Sequence, residues 1–95
     1  MTLPLRRSPQ TLAVLAALLR RPQNWQHGYD LLRETGLKSG TLYPLLARLR
    51  RGGWLHERWA KPAARGRPPR HLYRLSGPGK AAAQKLTAGS AGGAV

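Results

Sequence analysis

Leu42, Leu45, Leu46 and Leu49 recur at i, i+3, i+4 and i+7. That spacing sets four side chains in one row on an α-helix, so the rest of the chain must build a core against them. Ser39 stands where an N-cap belongs, and Gly52-Gly53 where a helix stops. The spacing therefore predicts a helix over about Gly40 to Arg51. Its other flank carries Thr41, Tyr43, Pro44, Ala47, Arg48, Arg50 and Arg51. Hydroxyl, aromatic and guanidinium groups opposite a buried row suit a helix lying in a DNA major groove. An ordinary surface helix of a basic protein carries the same row, so periodicity alone does not separate the two readings. Pro44 breaks a local rule, because its missing N–H removes a backbone bond just past the first turn. A local violation has to be compensated elsewhere, which makes this end of the helix a candidate for function.

Charge narrows the choice. Seventeen Lys and Arg face three acids in a chain of 95 residues, a formal net charge of +14. That excess points to a polyanionic partner, nucleic acid before anionic membrane. The longest apolar run, Leu12 to Leu19, is too short to cross a bilayer, and the start lacks a cleavage signal. The expectation is a cytoplasmic protein with no membrane partner. Cysteine is absent, and His27, His56 and His71 lack metal-ligand spacing, so no metal site is expected. Asp30 and Glu34 stand at i,i+4 and so resemble an acid/base pair. The plainer reading, adopted here, is solvated charge softened by Arg33 and Lys38. Gly52-Gly53 follows a helix rather than a strand, so it is no phosphate-cradling loop. No catalytic residue, no cofactor and no enzyme activity are expected.

The remaining elements follow from caps and periods. Met1 to Arg7 reads as an N-terminal arm. Ser8 and Pro9 open a first helix that runs to Leu19 or Arg20, with Leu12, Leu15, Ala16 and Leu19 as its core stripe and Pro22 after it. A second helix is expected near Gln26 to Thr35, with Gly36 at its C-terminus and Tyr29, Leu31 and Leu32 as apolar contacts. Gly28 inside it costs about 1 kcal/mol relative to alanine. It marks either close packing against helix 1 or close approach to a phosphate, and packing is the favoured reading. After Gly53 the residues become strand formers, Trp54 to Trp59 and Arg70 to Leu75, joined by the basic segment Lys61 to Pro69. The pattern predicts a hairpin with Leu55, Tyr73 and Leu75 on its core side. Its tip is expected to be disordered when free, with Arg65, Arg67 and Arg70 reaching phosphates or a narrow minor groove. Ser76 caps a fourth, thin helix over about Gly77 to Thr87. The domain therefore spans residues 8–87, and residues 88–95 read as a flexible tail.

Three helices and then a basic two-stranded hairpin is the order of a winged helix-turn-helix domain, mainly α with a short last helix. The residues resemble the PadR-type transcriptional regulators in His27-Gly28-Tyr29-Asp30-Leu31 and Gly40-Thr41-Leu42-Tyr43-Pro44-Leu45-Leu46. The likeness continues in Arg48-Leu49 leading to Gly53, and in Gly66-Arg67-Pro68 leading to Tyr73-Arg74-Leu75. The resemblance implies a homodimeric repressor that binds double-stranded DNA. It implies a groove-facing set of Lys38, Ser39, Gly40, Thr41, Tyr43, Pro44 and Arg48, and a wing set of Arg65, Gly66, Arg67 and Arg70. Tyr29 and Arg51 would touch the backbone. Two departures stand out. The segment after Leu49 is usually acidic in that family, and Arg50-Arg51 here suggests stronger electrostatic binding or a second nucleic-acid surface. The last helix is short, which shifts dimerisation toward helix 1 and the arm and argues against a small-molecule effector pocket.

Three rivals share some of these features. A non-specific DNA-organising or partition-type coating protein would use the same fold and charge without a gap between one site and random duplex. An RNA-binding module would stack unpaired bases on Trp25, Trp54 or Trp59, although Trp54 starts a core strand. A protein-docking winged helix would leave the charge unused.

Overall fold

The computed structural model describes residues 8–61, Gly66 and residues 70–92. The elements are α1 (Pro9–Arg20), β1 (Gln26–His27), α2 (Gly28–Thr35), α3 (Ser39–Arg51), β2 (Leu55–Ala60), β3 (Arg70–Leu75) and α4 (Gly77–Gly92). The strands form one antiparallel sheet in the order β1-β3-β2. This is the winged helix-turn-helix arrangement, with a three-stranded sheet where the sequence suggested two strands. The Met1–Arg7 arm lies outside the described residues.

Each cap has a local cause. Ser8 Oγ accepts from the Thr11 amide at 3.1 Å, and Pro9 fills the first helical position, where an N–H would be idle. Gly36 ends α2 in the left-handed region at φ 72°. Lys38, not Ser39, is the N-cap of α3; Ser39 is already helical. Gln26 is not helical either. It pairs with Tyr73, and its buried amide donates to the Leu18 and Arg21 carbonyls at 3.3 and 3.4 Å. Pro22 has no N–H to give the Leu18 carbonyl, and Gln26 supplies that donor; the Arg21 carbonyl also accepts from the Asn24 amide at 3.0 Å. A two-residue strand is too short to show alternation, which is why it was not legible.

The core collects the leucine row of α3 with elements from every other layer. Leu42, Leu46 and Leu49 are fully buried and Leu45 nearly so, packed with Val14, Leu15, Leu18, Leu31, Trp54, Leu55, Tyr73, Leu75 and Ala83. The stripe of α1 is rotated from the expected one. Thr11, Val14, Leu15, Ala17 and Leu18 are buried, Leu12 and Leu19 are half-buried, and Ala16 is exposed. A run that is apolar all round leaves the inward face to tertiary packing, so its period carries little information. On α2, Leu31 is buried and Leu32 packs at the edge, but Tyr29 is exposed and takes no part in the core.

The start of α4 is welded to the turn after α3. The Ser76 amide donates to the Trp54 carbonyl at 2.9 Å, its hydroxyl donates to the Gly53 carbonyl at 2.6 Å, and the Gly79 amide donates to that hydroxyl at 2.9 Å. A Cβ on Gly79 would run into the Trp54 carbonyl, so only glycine lets the two backbones approach. The helix continues to Gly92, beyond the Thr87 end expected from the sequence.

Truncating the central leucine tests this packing. Leu46→Ala is expected to cost about 2–5 kcal/mol in urea unfolding, whereas Ala16→Ser is expected to change stability by less than about 0.5 kcal/mol. Near-equal effects would contradict the assigned inward faces.

Candidate nucleic-acid interface

Burying the leucine row fixes which side of α3 faces out. Lys38, Ser39, Gly40, Thr41, Tyr43 and Pro44 are exposed around its N-terminal end, and Arg48 and Arg51 are exposed further along. Proline at 44 leaves the Gly40 carbonyl without its i+4 donor, and the space a Gly40 side chain would fill is open. Tyr29, 65% exposed, stands in the first turn of α2.

Tyr43 does two things. It keeps 38% of its surface exposed, and its ring lies directly over Gly28. A Cβ at Gly28 would come within 2.7 Å of the ring and 2.8 Å of the phenol oxygen. Gly28 is therefore a packing glycine, as favoured from the sequence, but its neighbour is α3 rather than α1. The contact sets how closely the first turn of α2 approaches α3.

Ion pairs decide which cations stay available. Glu34 is half-buried and takes Arg21 at 2.8 Å and Arg20 at 4.0 Å, not the Arg33 and Lys38 expected as its partners. Both arginines are largely exposed, so each pair contributes at most a fraction of a kcal/mol, about 0.2–1. Arg50 is also committed. Its Nε donates to Glu57 Oε1 at 2.7 Å, while Glu57 Oε2 meets His71 Nε2 at 2.5 Å. His71 Nδ1 lies 2.9 Å from the Tyr73 hydroxyl. Burial, and then the Glu57 charge, push the Tyr73 pKa up to about 12. The phenol therefore stays protonated at neutral pH, within hydrogen-bond distance of the imidazole. Arg50 accordingly ties α3 to the wing strands and adds no loose charge. Lys38, Arg48 and Arg51 have no carboxylate within salt-bridge distance among the described residues.

The wing is only partly described. Arg65 and Arg67 lie outside the described residues, Gly66 is exposed in the left-handed region at φ 85°, and Arg70 opens β3. Trp59, 65% exposed, stacks on His71 at 4.1 Å between ring centroids, a pairing that sequence reasoning missed. The register Trp59↔His71 and Glu57↔Tyr73 puts these side chains on one face of the sheet, but register is visible only once the strands are paired. Trp54 is buried, in keeping with its structural reading. Among the described residues no helix is long and apolar enough to cross a membrane, and no cluster of three metal-ligating side chains occurs.

The sequence matches the family model of the transcriptional regulator PadR-like family over residues 14–85. No curated protein matches it. Among solved structures, a PadR family transcriptional regulator from Eggerthella lenta DSM 2243 is similar at 29% identity and a TM-score of 0.66, over 81% of this chain and 70% of that one. The circadian clock associated protein Pex from Anabaena is similar at 25% identity and a TM-score of 0.65, over 82% of this chain and 73% of that one. The smu.1704 protein from Streptococcus mutans UA159 shares the fold at 23% identity and a TM-score of 0.75, over 99% of this chain and 87% of that one.

Two variants probe the contacts described. Gly28→Ala is expected to destabilise by about 1–3 kcal/mol through overpacking on Tyr43, and Gly28→Ala with Tyr43→Ala should recover most of that loss in a double-mutant cycle. An unaffected single variant would mean that the ring does not rest there. The second variant addresses the raised phenol pKa. The stability held by neutral Tyr73 is complete below the unfolded value of 10.0 and is lost as pH rises toward about 12. Wild-type stability, followed by thermal melts between those pH values, should fall more steeply than that of Tyr73→Phe. Parallel curves would contradict the burial argument.

Proposed function

This chain belongs to the PadR-like family of transcriptional regulators, and on that premise we propose that it is a sequence-specific repressor acting on double-stranded DNA in the cytoplasm as a homodimer. The observation that carries the reading is the exposed N-terminal end of α3, held outward by a buried leucine row. Two copies related by a two-fold axis would set their α3 helices about 34 Å apart, one in each half-site. Thr41, Ser39 and the exposed edge of Tyr43 supply base-edge contacts, with Pro44 as an apolar contact for a thymine methyl and the Gly40 carbonyl as an acceptor. Lys38, Arg48, Arg51 and Tyr29 hold the phosphates, and Arg65, Gly66, Arg67 and Arg70 serve the wing. Occlusion of a promoter then represses transcription. No step in this scheme uses a cofactor, a metal or an effector.

Neutralising about six to ten phosphates per dimer makes affinity fall by roughly 10³–10⁵ between 50 and 200 mM salt. The test is selection from a random duplex library, followed by competition between the recovered site and random DNA. A palindrome is expected, bound far more tightly than random duplex. Thr41→Ala should narrow that gap, whereas Arg67→Ala should weaken all duplexes alike and lower the salt slope by about 1. Recovery of no preferred sequence would replace this reading with DNA coating.

A further inference from the structure

The sheet has a second face. Strand alternation turns Leu55, Tyr73 and Leu75 toward the core and α3, so His56, Arg58 and Arg74 point the opposite way. The guanidinium carbons of Arg58 and Arg74 lie 4.7 and 4.5 Å from the ring centroid of Trp25, the residue just before β1. Two like charges are thus held to one indole. His56 is the direct cross-strand partner of Arg74, and Lys80 of α4 lines the same shallow cleft of about 410 Å³ with both. The lining of that cleft includes no acid. Two of the three carboxylates in the chain are spent elsewhere, Glu34 on Arg20 and Arg21, and Glu57 on Arg50 and His71. Arg58 and Arg74 are diagonal neighbours across the strand pair, converge on one ring, and have no carboxylate within salt-bridge distance among the described residues, so the face suits an anion from outside.

We propose that this outer sheet face grips the phosphate backbone of a second DNA duplex, leaving α3 to hold the first. The chemistry selects the occupant. Trp25 is half-buried with both guanidiniums set on its ring, so it has no open platform for an unpaired base. What the site offers is positioned, forked donors on a stiff support, which suits backbone phosphates. The face is turned away from α3, so one duplex does not reach both surfaces without bending sharply. Each protomer therefore bridges two DNA segments, and the protein compacts or loops the DNA it regulates.

The experiment is a capture assay on the full chain. One duplex is fixed to beads, protein is added, and a labelled second duplex is offered over a range of salt. Wild type should retain the second duplex. Arg58→Ala with Arg74→Ala should reduce that capture about tenfold and lower its log–log salt slope by about 2, since each lost phosphate contact removes roughly 0.9. Binding to the fixed duplex should stay within about threefold of wild type. Arg58→Gln with Arg74→Gln keeps the side-chain stems over Trp25 and should give the same loss if the alanine pair does not fold. Undiminished second-duplex capture by a folded variant would overturn the proposal, because the two α3 surfaces of a dimer would then account for it. An equal loss of both duplexes would also overturn it, by placing these arginines in the first interface. Single-stranded RNA displacing the second duplex at equal charge, in wild type but not in the variant, would overturn it in favour of an RNA surface.

Discussion

The exposed flank of α3 depends on which way that helix is turned, and hydrophobic burial settles that. Four leucine side chains sealed against α1, α2, the sheet and α4 contribute several kcal/mol in total, at about 1.5–3 kcal/mol each. Rotating the helix to hide its hydroxyl and guanidinium flank would expose that row and desolvate charges, so the orientation is over-determined. The two contacts that refine it are local. Gly28 lets Tyr43 seat on the first turn of α2, and Arg50 reaches Glu57 on β2. The distance and angle between the helix and the wing follow from those anchors.

The same economy explains the treatment of charge. Of the three acids in the chain, the two glutamates are placed where they organise structure. Glu34 joins α2 to the end of α1, and Glu57 joins α3 to both wing strands through His71 and Tyr73. Among the described residues, Lys38, Arg48 and Arg51 are left without such partners on the α3 side, and Arg58 and Arg74 on the outer face of the sheet. A polyanion meeting either side gains Coulomb energy without first breaking an internal ion pair, which favours fast, salt-sensitive association.

Much of this was legible from residues alone, because α3, its stop at Gly52-Gly53, the Ser8 cap and the Leu55, Tyr73 and Leu75 core positions are all short-range signals. What escaped was set by tertiary contact. The inward face of α1 was ambiguous in a run where nearly every residue is apolar. The Gln26–His27 strand carried too little pattern to see. Arg50 looked like free charge because its partner lies on another element, beyond the turn. Tyr29 read as a core contact because helical spacing does not reveal how far the neighbouring layer extends. The resemblance in the Gly40 to Leu46 segment pointed to the family, and the family model covers the same stretch. It carried no information about the outer face of the sheet, which exists only once β1, β2 and β3 are paired.

The most direct check on the central claim is a titration of the full chain with duplex DNA, followed by backbone amide chemical shifts in NMR. The account predicts that the Lys38, Ser39, Gly40, Thr41 and Tyr43 amides move first and furthest, while Val14, Leu15 and Leu18 of α1 stay in place. Shifts concentrated on α1, with the Lys38 to Tyr43 segment silent, would show that α3 does not face the DNA.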